Sequence, residues 1–379
     1  MKTRTQPYVL LFLSLFACEK QQDLIVDASS KETILKIINA EKGIQNLNAL
    51  SFAVVKGNQL LWAEALGKAT RTKEASIDTR FLIASVSKTV TAVAALKLAE
   101  NKQLDLDADI STYLPFQVRN PQFSHVPITT RMLLNHSSSI SDTGFNSFDF
   151  YCWNEDCPTP LSTFFRDIFD PAGQFYRVKK FDNYSPGTKG TYSNMGFALL
   201  GYLIERVARQ PFDDYCKQQI FVPLGMSKTE WRLKNSPLTE LAVTGTPTIN
   251  SSEDPFTFID YPNGGIRTTP TDLSKFQRML MNDGVFNNTQ ILSKRTVDLM
   301  KKYTLTINKF GFNLDFGLGM YYSNIKGKIL FGHVGNESGT TTSMQFDPES
   351  KIGVIVFTNS DTANLDLIIY SLYKFASEK

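Results

Sequence analysis

A chain of 379 residues with 42% hydrophobic content can build one large core, or two lobes around a cleft. Its 40 lysines and arginines against 37 acids leave a formal charge of +3 with no basic cluster, which argues against a nucleic-acid partner. Beside Cys152 and Cys157, no histidine and no second cysteine pair falls at ligand spacing, so no metal and no cofactor is expected.

At the start of the chain, Lys2 and Arg4 precede an apolar run at residues 8–16. That run fits a secretory signal and is too short to cross a membrane. It closes on Leu15-Phe16-Ala17-Cys18, which resembles a bacterial lipobox. The resemblance implies cleavage before Cys18, acylation of that residue and a lipid anchor in the bacterial cell envelope, facing the periplasm or exterior. Ordinary signal cleavage and a soluble secreted product is the alternative. Residues 1–17 are then a signal, 18–31 a polar tether and 32–379 the folded domain. Loss of Lys2 and Arg4 lowers the formal charge from +3 to about +1.

Residues 32–43 read as an amphipathic helix, followed by strands over 51–58 and 59–67. From Ser85 to about Phe256 the patterns are mainly helical, with long loops between Ser141 and Thr191. Strands return at 317–323, 328–335, 340–347 and 351–359, before a final amphipathic helix from Leu365. The fold class is α/β (α+β): an antiparallel sheet flanked by the terminal helices, with a mainly helical lobe inserted. The α/β lobe takes in about 32–84 and 257–379, and the helical lobe about 85–256. A groove between the lobes is the natural site. Cys152 and Cys157 flank Trp-Asn-Glu-Asp in an aromatic-rich insertion, Phe145 to Trp153, and outside the cytoplasm a local disulfide is favoured there. Cys216, in a helical setting, reads as a free, partly buried thiol.

Three short patterns carry chemistry: Ser85-Val-Ser-Lys88, Tyr192-Ser-Asn194 and His333-Val-Gly335. A serine is a weak nucleophile, and a lysine one helical turn later shares its face and can take its proton. Ser-x-x-Lys also occurs at Ser323–Lys326 and Ser371–Lys374, and Tyr-x-Asn at Tyr261–Asn263 and Tyr322–Asn324, so context must choose. Ser85 follows the apolar run Phe81–Ala84 and opens a stretch of good helix formers, where the N-terminal N–H groups and dipole favour negative charge. The same position also suits a plain helix cap. Tyr192 could equally be a half-buried core tyrosine, and His333 a satisfied strand histidine.

The ordered patterns resemble the serine β-lactamase-like hydrolases of class C type, with D-alanyl-D-alanine peptidases and related esterases. The segments Leu133–Ser141, Tyr184–Val207, Pro223–Met226, Gly264–Phe276, Phe316–Gly319 and Phe357–Asp361 are similar to blocks of that family in the same order, over roughly residues 32–375. The resemblance implies an acyl-enzyme on Ser85, with Lys88 or Tyr192 as the base. Asn194 would offer its amide to Lys88 and substrate, and His333 would bond Tyr192 or substrate. Gly335 and Asn336 would contact substrate, with the Ser85 and Asn336 N–H groups as oxyanion hole. Where the family has glycine this chain has Ser139, which implies an altered turn. Glu337 puts a carboxylate at the substrate edge. His333 replaces the lysine of class C β-lactamases, which favours an esterase or peptidase over a dedicated β-lactamase. The implied partner is a small molecule or peptide, peptidoglycan-derived among the options. A non-catalytic penicillin-binding or scaffolding lipoprotein is the alternative of a different class.

Overall fold

The computed structural model describes the chain except residues 1–27, 29, 146–149, 177–178, 244–253, 310 and 361. The expected signal, the Cys18 anchor, nearly all of the tether and the middle of the aromatic insertion lie outside the described residues.

Helix α1 (Lys31–Ile44) starts where the Ser30 side chain accepts from Thr33 N at 3.1 Å, a standard use of serine at a helix start. Strands β1 (Ala49–Lys56) and β2 (Gln59–Gly67) form a hairpin. A short strand β3 (Phe81–Leu82) leads to α2 (Ser87–Glu100). The inserted lobe contains α3 (Thr130–Leu134), β4 (Tyr151–Trp153), α4 (Leu161–Phe169), α5 (Asn194–Ala208) and α6 (Phe212–Cys216). Then come β5 (Phe256–Phe258), β6 (Arg267–Thr268), α7 (Pro270–Met281), the small hairpin β7 (Val285–Phe286) and β8 (Thr289–Gln290), and α8 (Lys294–Lys301). The chain ends with β9 (Leu305–Lys309), β10 (Phe312–Phe316), β11 (Tyr321–Ile325), β12 (Lys328–Glu337), β13 (Thr340–Asp347), β14 (Ile352–Thr358) and α9 (Asp366–Ser377).

The main sheet has eight antiparallel strands in the order β2-β1-β14-β13-β12-β11-β10-β9. Its centre is covered on both sides, which is why β13 and β14 are buried at every position. Side chains alternate along a strand. Phe52, Val54, Val354 and Val356 pack with α1 and α9, whereas Ala53, Val55, Ile355 and Phe357 join the core shared with α2, α5 and α7. Burial of each large apolar side chain contributes about 1.5–3 kcal/mol, so both faces hold the sheet.

Three features depart from the sequence reading. The strand expected over 317–323 begins only at Tyr321, because Gly319 turns at φ 76° against α2, where a Cβ would lie 2.3 Å from that of Ala92. The region between Ser85 and Phe256 contains a strand, β4, which pairs antiparallel with β5 through Tyr151↔Phe258 and Trp153↔Phe256. Cys216 is fully buried rather than partly so, and free. Cys152 and Cys157 are joined in a disulfide at the β4 turn.

Candidate active site

Ser85 lies in a 3₁₀ turn, Ala84–Val86, which runs directly into α2. The preceding Ala84 has φ 45°, a left-handed conformation that L side chains rarely adopt. Ser85 does not cap α2; its hydroxyl contacts Lys88 Nζ at 3.0 Å instead. Lys88 is fully buried, and its Nζ also donates to Asn194 Oδ1 at 2.7 Å and to the Asn263 carbonyl at 2.7 Å. Burial, reinforced by the Lys309 cation, holds the Lys88 amine well below the usual lysine range.

The competing patterns fall elsewhere. Ser371 is buried in mid-α9 and Ser323 lies on β11, with Lys326 in the turn beyond it. Tyr322 hydrogen-bonds the Lys301 carbonyl. The remaining Tyr-x-Asn copy is different: Asn263 lines the site through its backbone, a role its side-chain type gave no signal for. The Asn263 amide is fixed on Asp260 Oδ2 at 2.7 Å. Burial raises the Asp260 carboxyl to about 7.

Tyr192 and Asn194 flank the start of α5, where Ser193 accepts from Gly196 N at 2.9 Å. Asp142 holds this turn by accepting from Ser193 Oγ, Asn194 N and Met195 N at 3.0, 2.8 and 3.0 Å, an anion at a helix N-terminus. The sequence reading missed Asp142 and His136. His136 stacks on Tyr192 with ring centroids 4.3 Å apart, and its Nδ1 accepts from Ser193 N at 3.1 Å, so the Nε2–H tautomer is required. Its position within the Leu133–Ser141 block was the available signal. In that block Ser139 takes φ 61°, the conformation a glycine would favour, and its Oγ accepts from Asn120 Nδ2 at 3.0 Å.

His333 sits on β12, buried, with its ring centroid 6.1 Å from that of Tyr192. Its Nδ1 is 2.5 Å from the Val334 carbonyl, which can only accept, so Nδ1 carries the proton. No bond joins His333 to Tyr192; Nε2 is buried without a protein partner among the described residues, and the buried Tyr192 hydroxyl lies near that of Ser85. Burial pushes the His333 imidazole well below, and the Tyr192 phenol well above, their ordinary ranges; the nearby Ser85 hydroxyl opposes the second shift only in part. Gly335 packs against the Ser85 turn: a Cβ there would lie 2.3 Å from Ile83 O and 3.1 Å from Ser85 N. Asn336 follows, exposed.

From β9, Lys309 reaches over the Tyr192 ring, 3.4 Å from its centroid. Burial lowers its amine to about 8. A cavity of about 750 Å³, lined by Tyr192, Asn194, Lys309, Lys189 and Asp142 among others, opens beside it. No cluster of histidine, cysteine and acidic residues able to hold a metal occurs among the described residues.

A family model described as Beta-lactamase matches residues 36–370. The chain belongs to the Beta-lactamase family. It is 26% identical over 301 residues to "Penicillin-binding protein 4" of Amycolatopsis lactamdurans, covering 76% of this chain and 74% of that protein. It is 24% identical over 352 residues to "Protein flp" of Staphylococcus aureus strain N315, covering 90% of this chain. The match spans only 66% of the length of that relative. Among solved structures, D-amino acid amidase from Ochrobactrum anthropi SV3 complexed with L-phenylalanine matches at TM-score 0.71 and 22% identity, covering 90% of this chain and 98% of that one. The octameric penicillin-binding protein homologue from Pyrococcus abyssi matches at TM-score 0.71 and 22% identity, covering 92% and 77%. These likenesses establish the Beta-lactamase fold, a large antiparallel sheet with helices, for this chain.

Proposed function

We propose that this protein is a serine hydrolase that acts through an acyl-enzyme on an ester, amide or D-amino-acid peptide bond. The observation that carries the proposal is the set of partners around Lys88. A neutral amine has two N–H groups and one lone pair. Asn194 Oδ1 and the Asn263 carbonyl can only accept, so they take the two protons. The lone pair then points at Ser85 Oγ, the one partner with a proton to give. Burial shifts the amine toward its neutral form, which favours Lys88 over Tyr192 as base, since a phenolate in the same dry site is costly.

Ser85 Oγ attacks the carbonyl carbon as its proton passes to Lys88 Nζ. The Ser85 and Asn336 N–H groups hold the oxyanion, each such donor being worth about 10²–10³ in rate. The carbon–leaving-group bond breaks as Tyr192 Oη, resupplied from Lys88, protonates the departing atom. Water then cleaves the acyl-serine ester and returns the enzyme. Neutral His333 Nε2 offers an acceptor where class C β-lactamases carry a lysine, which supports an esterase or peptidase reading.

The test exposes folded protein to a fluorophosphonate and, separately, to benzylpenicillin, with adducts located by peptide mass and Ser85→Ala as control. Labelling at Ser85 is expected. A lasting penicilloyl adduct would redirect the reading to a penicillin-binding peptidase, and penicillin hydrolysis would redirect it to a β-lactamase. No adduct from either reagent would leave the non-catalytic alternative.

A further inference from the structure

Along β12, side chains alternate between faces, and His333, Gly335 and Glu337 share the face that meets Ser85. His333 and Glu337 therefore lie on opposite sides of Gly335, each about 6.7 Å along the strand. Tyr192 stands on the His333 side, where the leaving group must collect its proton. Glu337 then faces the acyl half of a substrate held on Ser85.

Glu337 is half-buried and has no lysine or arginine within salt-bridge distance among the described residues. The Tyr151 hydroxyl donates to Oε1 at 2.6 Å and Ser338 N donates to the same oxygen at 2.9 Å. Oε2 receives no donor from the described residues. Tyr151 belongs to an aromatic wall with Phe256 at 4.9 Å, Phe258 at 6.0 Å and the exposed Trp153 beyond, held by the β4–β5 pairing and the Cys152–Cys157 bridge. A carboxylate with one oxygen open to solvent, beside the half-buried Tyr151 ring and the exposed Trp153, suits an ammonium group, which gains both a charge-assisted hydrogen bond and a cation–π contact.

Resting on the hydrolase reading above, we infer that Glu337 and Tyr151 form a subsite for a protonated amine on the acyl half of the substrate. An α-amino nitrogen lies two bonds, about 2.5 Å, from the carbonyl carbon. With a charge-assisted hydrogen bond of about 2.8 Å its reach is about 5.3 Å, comparable to the step of about 6.7 Å from Gly335 to Glu337 along β12. The preferred substrates are thus amides, esters or peptides of an amino acid whose α-amine is unblocked, an aromatic side chain resting on the wall. N-acylated compounds lose the contact.

The experiment measures how D- and L-phenylalaninamide, and their N-acetyl counterparts, slow fluorophosphonate labelling of Ser85. At least one free amine is expected to protect at a concentration about tenfold or more below that of its acetylated form, as befits a charge-assisted hydrogen bond. Glu337→Gln should bring that ratio close to one, and Glu337→Asp should restore part of it, in variants whose melting curves match the parent. Equal protection, better protection by the acetylated forms or no protection by any would overturn the subsite, as would an unchanged ratio in Glu337→Gln. Those results leave Ser85 labelling intact and so sink the subsite alone, whereas failure of Ser85 to label in folded protein sinks the hydrolase reading and the subsite together.

Discussion

The two ends of the face that β12 turns to Ser85 handle charge in opposite ways. At one end Lys88, His136, His333 and the hydroxyl of Tyr192 are enclosed, and burial drives each toward its neutral form: the amine and imidazoles downward, the phenol upward. At the other end Glu337, Tyr151 and Trp153 keep partial contact with water. A proton moves readily between groups that are close and matched in proton affinity, which burial brings about by shifting their pKa values. A charged substrate group is recognised best where neither partner is fully stripped of solvent. Dryness therefore divides the cleft into a part suited to chemistry and a part suited to recognition.

The largest effect should come from emptying the dry end. Lys88→Met removes the amine in contact with Ser85 Oγ, and fluorophosphonate labelling of Ser85 should fall about 10³–10⁴-fold. A loss below tenfold would transfer the role of base elsewhere. Next comes the junction of the two ends. In Gly335→Ala the new methyl would meet Ile83 O at 2.3 Å and Thr342 Oγ1 at 2.4 Å. The Ile83 carbonyl is backbone, so β12 must move away from Ser85. Acylation should drop about 10²–10³-fold, the worth of one misplaced oxyanion donor, and a rate within threefold of the parent would separate Asn336 from that role.

The same division explains what could be read from the residues alone. The dry end is written in short patterns because its parts sit on regular elements: Ser85 and Lys88 one turn apart at α2, Tyr192 and Asn194 at the start of α5, His333 on a strand. The central strands β1, β13 and β14 were visible for a similar reason, since their apolar runs are buried on both faces. What escaped depends on long-range placement. The Asn263 carbonyl contributes through its backbone, and Asp142 acts through a helix start 51 residues away from it in sequence. The contact between Tyr151 and Glu337 joins positions 186 residues apart. The hairpin β9–β10, which brings Lys309 to Tyr192, has exposed or half-buried residues at most of the described positions of β9, so its periodicity was faint.

A smaller effect should appear in stability. His136 and His333 have folded pKa values well below 6.5, so below about pH 6.5 the unfolded chain binds protons that the folded one does not. Stability is therefore intact above that pH and falls as pH drops. The slope approaches about 1.4 kcal/mol per pH unit for each histidine, until the folded pKa is reached. Denaturant unfolding at pH 7, 6 and 5 should show it. Asp260, raised to about 7, is protonated first in the folded chain and offsets one histidine over this range, so His136→Asn, which retains an acceptor for Ser193 N, should remove most of the slope that remains. A parent whose stability is flat over this range would mean that the dry end admits the imidazolium form.

The smallest effect isolates one charge. Lys309 lowers the Lys88 pKa, after burial itself, so Lys309→Met should raise it and move the acid limb of Ser85 labelling to higher pH. Lys309 carries a condition of its own, because its amine is pushed down to about 8. Below that pH it is a cation and the parent should label faster than Lys309→Met. Above it the charge is lost, and the two proteins should converge. Lys309→Arg stays cationic throughout and should not converge with the methionine variant. If parent and Lys309→Met have superimposable profiles at every pH, Lys309 does not act on the base, and its place over Tyr192 serves packing or substrate contact instead.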